Sequence, residues 1–414
     1  MNRIFLFTCL FLLGSYAYGQ EDGFQALLDS GKVEFKRQQP KDTADYSKAL
    51  HLFSEAVKSR PDNAEARYFL GYTFDRLNSN DGSRMAFSKK DLTIKASEQF
   101  EIVNRLQPKY EGELLILDPY SKISSVWGSL AMAYLSKGKN DSAKWAFSQG
   151  KVRGGFIEAH LAYNRQLLSS CEKNAILVVF GDNLTIPLWY LQEKEALRTD
   201  VLVIDANLLN TAWYPVYLKR EKKLSLSYTE AQLDTLGYKE WAATDITVKN
   251  NGRAFTWTLK PTYYDYILKG DRILLDIVQQ TLFRRPFYFS SGSDSSYNLF
   301  LTDQLSNEGV ISRVLTQQSD TTASRTACRK NLSSYSIASI PSEQIQRSPD
   351  AITLLNTFRW VYYQASYDLY ERGKIREART LLAEMEQKFD NNKLPYVSEQ
   401  FSEGVEAYKR VLQL

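Results

Sequence analysis

The sequence repeats itself, and that constrains its fold more than any other feature. Ala49, Phe53, Ala56 and Pro61 recur as Ala96, Phe100, Val103 and Pro108. Steps of four and then three residues keep the first three on one face of a helix, and the proline then ends it. A third copy is uninterrupted, with Trp127, Leu130, Ala131 and Tyr134 before Gly138, and Ala143, Phe147 and Gly150 after it. It predicts two helices folded back on each other. Such a hairpin cannot bury its apolar face alone, so neighbouring hairpins must stack. Insertions around Pro40 and at 78–90 interrupt the first two copies. The pattern returns late in the chain, where Gly373 precedes Ala378, Leu382 and Met385, and an amphipathic stretch at 397–414 closes the open end.

Leu70-Gly71 and Phe74 stand where the first helix of a tetratricopeptide repeat carries its small residue and its aromatic, and both helical regions resemble that family. The resemblance implies a concave groove that takes a protein or peptide partner. The alternative is that the helices only hold what lies between them.

Between residues 171 and 330 the period changes. AILVVF (175–180) and VLVID (201–205) are short apolar runs, each followed by a polar turn and a helical stretch; Pro187 is expected in the first turn of the first of these helices. DITVKNNGRAFTWTL (245–259) reads as a hairpin turning at Asn251-Gly252. A helix from Tyr264 to Phe283 leads to FYFSS (287–291), and VISRVL (310–315) is a fourth strand. Alternating strands and helices imply parallel pairing. The polar, aperiodic run at 316–350 is expected to be open to proteolysis. The fold class is therefore α plus α/β, with tetratricopeptide-type helical repeats flanking a Rossmann-like parallel domain. The expected boundaries are a signal peptide at 1–19, repeats at 20–168, the α/β domain at 169–345 and terminal repeat helices at 350–414.

Ligands of open parallel sheets bind outside the carboxyl ends of the strands. Three strands here end in short polar loops, and the candidate ligand contacts are Asp182, Asn183, Asp205, Asn207 and Asn210, with Trp213 and Tyr214 placed to stack on a sugar ring. Trp189 and Tyr190 lie on the same edge. Asp182, Asn183, Asp205 and Asn210 are equally suited to capping the helices that follow. Both readings stand.

The string Gly181 to Asn183, Pro187 to Tyr190, Arg198 to Val201, Leu208 to Thr211 with Trp213 and Tyr214, and Arg285 to Phe289 resembles the soluble C-terminal region of bacterial membrane proteins related to protein O-mannosyltransferases. Leu184 and Ala212 replace aspartates usual in that family, and its multi-span membrane half is not expected here, since no stretch after residue 19 reaches 18 apolar residues. The resemblance implies an accessory domain more than an enzyme.

Chemistry is sparse elsewhere. Two histidines, His51 and His160, and three cysteines leave almost no ligands for a metal centre, and no catalytic residue or cofactor is expected. Gly-x-Gly-x-x-Gly, the P-loop, the nucleophile elbow and Asp-x-Asp are all missing. Lys plus Arg at 52 against Asp plus Glu at 48 gives no basic surface for nucleic acid. Arg3, an apolar run from Ile4 to Leu13 and Ala17-Tyr18-Gly19 make a secretory signal peptide. No integral membrane segment is expected after cleavage. Cleavage leaves Cys171 and Cys328, a candidate disulfide, with two buried free thiols as the alternative. The expectation is an exported, non-catalytic adaptor of the periplasm or envelope that binds a protein or glycoprotein partner. The alternative is a carbohydrate-active or glycosylation accessory domain acting at the strand ends on a glycan.

Overall fold

The computed structural model describes residues 23–38, 44–80, 82–292, 294–317 and 321–414. The expected signal peptide and the Pro40 insertion lie outside them. The chain opens with helices α1 (23–37), α2 (Ser47–Ser59), α3 (Ala64–Ser79), α4 (Lys90–Leu106), α5 (Pro119–Leu135), α6 (Asn140–Val152) and α7 (Glu158–Ser170). The repeated pattern is the buried face: Ala49, Phe53 and Ala56 in α2, Ala96, Phe100 and Val103 in α4, and Ala143, Phe147 and Gly150 in α6. Small residues set the helix spacing. A Cβ on Gly31 would come within 2.6 Å of the Phe53 ring, and one on Gly71 within 2.8 Å of the Phe100 ring. Asn63 caps α3 by accepting the Ala66 N–H, and Asp118 caps α5, which starts at Pro119, by accepting that of Ser121.

α5 is buried all round, every residue but Tyr134, and its Gly128 sits where a Cβ would strike Ile186 at 2.2 Å. Ile186 belongs to α8 (Asp182–Glu195), so the hairpins grip the α/β unit directly. That unit contains β1 (Ile176–Val179), β2 (Leu202–Asp205), α9 (Trp213–Arg220), α10 (Glu230–Thr235), β3 (Lys239–Glu240), β4 (Thr244–Asn250), β5 (Arg253–Leu259), β6 (Tyr266–Ile267), α11 (Lys269–Thr281), β7 (Phe287–Ser290), β8 (Leu305–Asn307) and β9 (Ile311–Val314). The main sheet runs β2-β1-β7-β9-β8. β2, β1 and β7 are parallel, with Val179 opposite Asp205 and Val178 opposite Phe289. β9 and β8 pair antiparallel on the far edge.

Several expectations need correction. The sheet is mixed, and β8 adds a strand too short and polar to stand out. Helix α11 starts at Lys269, because residues 266–267 pair with β3. Pro187 lies inside α8, since the helix begins at Asp182. The run expected to be open forms α12 (Thr321–Ser334) and α13 (Ser342–Gln346). Its polarity misled: Ser324 is buried and donates to Glu308, while Leu332, Tyr335 and Ile337 are buried. The 245–259 hairpin folds as expected, with Asn251 and Gly252 both at positive φ. Helices α14 (Pro349–Glu371), α15 (Ile375–Lys388) and α16 (Glu399–Leu412) complete the chain. No helix of the described residues is long and apolar enough to cross a membrane.

Candidate functional site

A cavity of about 400 Å³ opens at the carboxyl ends of β1 and β2. Gly181, at φ 83°, turns the chain from β1 into α8, and the β2 end supplies Asp205 and Asn207. Four of the expected residues, Asp182, Asn183, Asp205 and Asn207, line it together. The opposite wall comes from the hairpins, through Tyr72 of α3 and Lys122 of α5.

The carboxylates are occupied. Asp182 is the first residue of α8 and not its cap; its Oδ2 accepts the Ser125 hydroxyl of α5 at 2.5 Å. Asp205 accepts the Leu208 N–H on Oδ1 at 2.8 Å, capping a short 3₁₀ turn, and the Thr185 hydroxyl on Oδ2. Burial raises the Asp205 carboxyl to about 6, and the Asp182 charge adds to this against the hydrogen bonds to the carboxylate. Asn183 contributes its backbone: Pro187 has no N–H to give the carbonyl four residues back, and Asn164 Nδ2 reaches across from α7 at 3.0 Å to fill that place. Lys122 and Asp75 form a buried ion pair at 2.6 Å, with the ammonium 4.5 Å above the Tyr72 ring.

Two expected contacts, Asn210 and Tyr214, are bonded within the chain instead. Asn210 turns away and caps α11, its Oδ1 accepting the Gly270 N–H at 2.8 Å. Tyr214 is fully buried, and its hydroxyl accepts the Asp205 N–H at 3.1 Å. Trp213 is half-buried, edge-on to Tyr214. Tyr190 stacks on Phe156 and Trp189 is buried, so neither offers a ring face. Cys171 and Cys328 are both free thiols: Cys171 Sγ donates to Leu167 O at 3.3 Å, and Cys328 lines another cavity between α12 and α14.

A glycosidase-type pair needs carboxyl oxygens open to the scissile bond; both oxygens of Asp205 and one of Asp182 are engaged within the chain. His160, Ser348 and Asp118 do meet, but the serine lies between the other two, whereas hydrolysis needs the imidazole between serine and acid. All three are buried. Among the described residues no three His, Cys, Asp or Glu side chains are grouped to hold a metal.

Sequence reading missed Tyr72, Lys122 and Ser125. The available signal was Lys122 itself, a lone charge in a helix of apolar and small residues, which is buried only when paired. It also missed a second cavity, of about 790 Å³, outside the ends of β1 and β7.

Residues 160–264, from α7 through β5, match the family model of TMEM260-associated domain 2. No curated protein matches the chain.

Proposed function

We propose that this protein is an exported, non-catalytic accessory protein in which tetratricopeptide-type hairpins clasp a Rossmann-like unit and hold a protein or glycoprotein partner in the cell envelope. One observation carries the reading: the acidic residues at the β1 and β2 ends are engaged within the chain, Asp182 by the Ser125 hydroxyl of α5 and Asp205 by the Thr185 hydroxyl and the Leu208 N–H. TMEM260 is a protein O-mannosyltransferase, and the match to a domain associated with it favours a partner from protein glycosylation. Leu184 and Ala212, in place of two aspartates, support a binding role over catalysis. The inner hairpin helix α5 is covered by this chain's own α8, so the partner surface is assigned to the C-terminal hairpin, where Tyr367 and Ile375 are exposed.

Capture of partners from envelope extracts tests this. Asp182→Ala and Asp205→Asn should leave capture intact, while Tyr367→Ala with Ile375→Ala should abolish it. Capture lost in a folded Asp182→Ala protein and kept in the hairpin variants would instead favour the second reading, a carbohydrate-active crevice. That reading draws on the raised Asp205 carboxyl.

A further inference from the structure

The strand order reverses between β1 and β7. From β1 the chain crosses by α8 to β2 on one side, whereas after β7 it continues to β8 and β9 on the other. Ligands of open α/β sheets bind in the crevice at such a reversal. The 790 Å³ cavity lies there, bounded by Phe180 and Leu184 after β1, Ser291 and Gly292 after β7, and the faces of α14 and α16.

Its lining is distinctive. The chain is 24% charged, yet among the described residues none lining this cavity is charged, while the cavity at the β1 and β2 ends and the one between α12 and α14 both have charged residues in their walls. Thr353, Thr357 and Trp360 follow one another at helical spacing along one face of α14. Trp360 is 42% exposed and stacks on Tyr363 at 5.8 Å, with Phe401 edge-on at 5.7 Å. Around the rings stand hydroxyls and amides: Thr353 donates to Pro349 O and keeps its lone pairs, and Ser398 accepts the Phe401 N–H and keeps its proton.

We infer that this cleft binds a neutral oligosaccharide. An anionic or cationic ligand would lose its hydration there with nothing to pair with. A purely apolar one would leave the Ser398 hydroxyl proton unmatched. A sugar ring presents C–H faces to aromatic rings and hydroxyls to neutral donors and acceptors, and the cavity falls within the size range of small-molecule sites. The inference does not depend on the hairpin partner: protein capture can fail while sugar binding holds, and the reverse.

The test titrates the full chain with mannobiose, maltotriose and chitobiose, followed by calorimetry and tryptophan fluorescence. At least one should bind, and Trp360→Ala should weaken it tenfold or more, while Trp360→Phe keeps most of the affinity and the remote Trp145→Ala changes nothing. Gly404→Glu guards against misfolding. A Cβ there meets nothing within 4 Å, so the helix accepts the side chain, which fills the cleft with a charge and should also cost tenfold or more. Failure of all three sugars to bind would overturn the inference. So would binding indifferent to both Trp360→Ala and Gly404→Glu, or a cleft that instead takes an apolar peptide or a second copy of the chain.

Discussion

Asp205 shows how one side chain is legible in its place but not in its role. Its position at a strand end was plain from the sequence, but whether it faced a ligand or its own chain was not, because the local bond from the Leu208 N–H suits either reading and the Thr185 partner lies in a segment whose approach only the fold decides. Its carboxyl, with an ordinary value of 3.8, is raised to about 6 by burial. The folded state therefore holds this proton more tightly than the unfolded chain. The resulting stabilisation is complete below about pH 4 and is lost as pH rises through 6. Asp205→Asn keeps an acceptor for the Leu208 N–H and removes the titration. Urea denaturation at pH 4, 5, 6 and 7 should show wild type losing stability relative to Asp205→Asn across this window, and parallel profiles would contradict it. Lys122 is the other informative residue. Removing it alone leaves Asp75 charged and buried, which typically costs about 3–5 kcal/mol.

At the level of elements, the hairpin register was readable because α2, α4 and α6 each bury their small and aromatic residues on one stripe, a period that sequence displays directly. α12 and β8 were not readable. One is buried through a serine bonded to Glu308 and the other is three residues long, so neither carries an apolar period. α8 lies between these cases: its helical stretch was evident, but its start was placed a turn late because Pro187 belongs by habit at a helix opening. The cost of an interior proline is an orphaned carbonyl at Asn183, which Asn164 satisfies. A double-mutant cycle follows. Asn164→Ala alone should destabilise by about 1–3 kcal/mol, the penalty for an unpaired buried group. In a Pro187→Ala background the helix regains its own N–H donor, so the same substitution should cost measurably less. Equal costs in both backgrounds would mean that Asn164 acts only through its bond to His160 O.

In the whole molecule, the two helical regions are joined directly. Asp118 caps α5 and Ser348 caps α14, and the two caps meet: the Ser348 hydroxyl donates to Asp118 Oδ2, while the Asp118 N–H donates to Asp350 Oδ2 at 2.9 Å. His160 Nε2 lies 3.1 Å from the same hydroxyl. Since that hydroxyl's single proton goes to Asp118, the imidazole is the donor. Burial pushes the Asp118 carboxyl up and the His160 imidazole down. Nothing in the sequence announced this joint, because each half reads as an ordinary helix start and 230 residues separate the two. It ties α5 to α14 directly, so the two helical regions should unfold as one cooperative unit. Ser348→Ala strands His160 Nε2, uncaps the Ala351 N–H and takes the hydroxyl donor from Asp118 Oδ2, which keeps the Asp350 N–H, for a loss of about 1–3 kcal/mol. Hydrogen exchange at α5 and at α14 should then accelerate together and by the same factor, since both ends unfold through the same opening. Acceleration confined to α14 would show that the C-terminal helices fold apart from the rest, and that a ligand between β1, β7 and α14 bridges two bodies where this joint implies one.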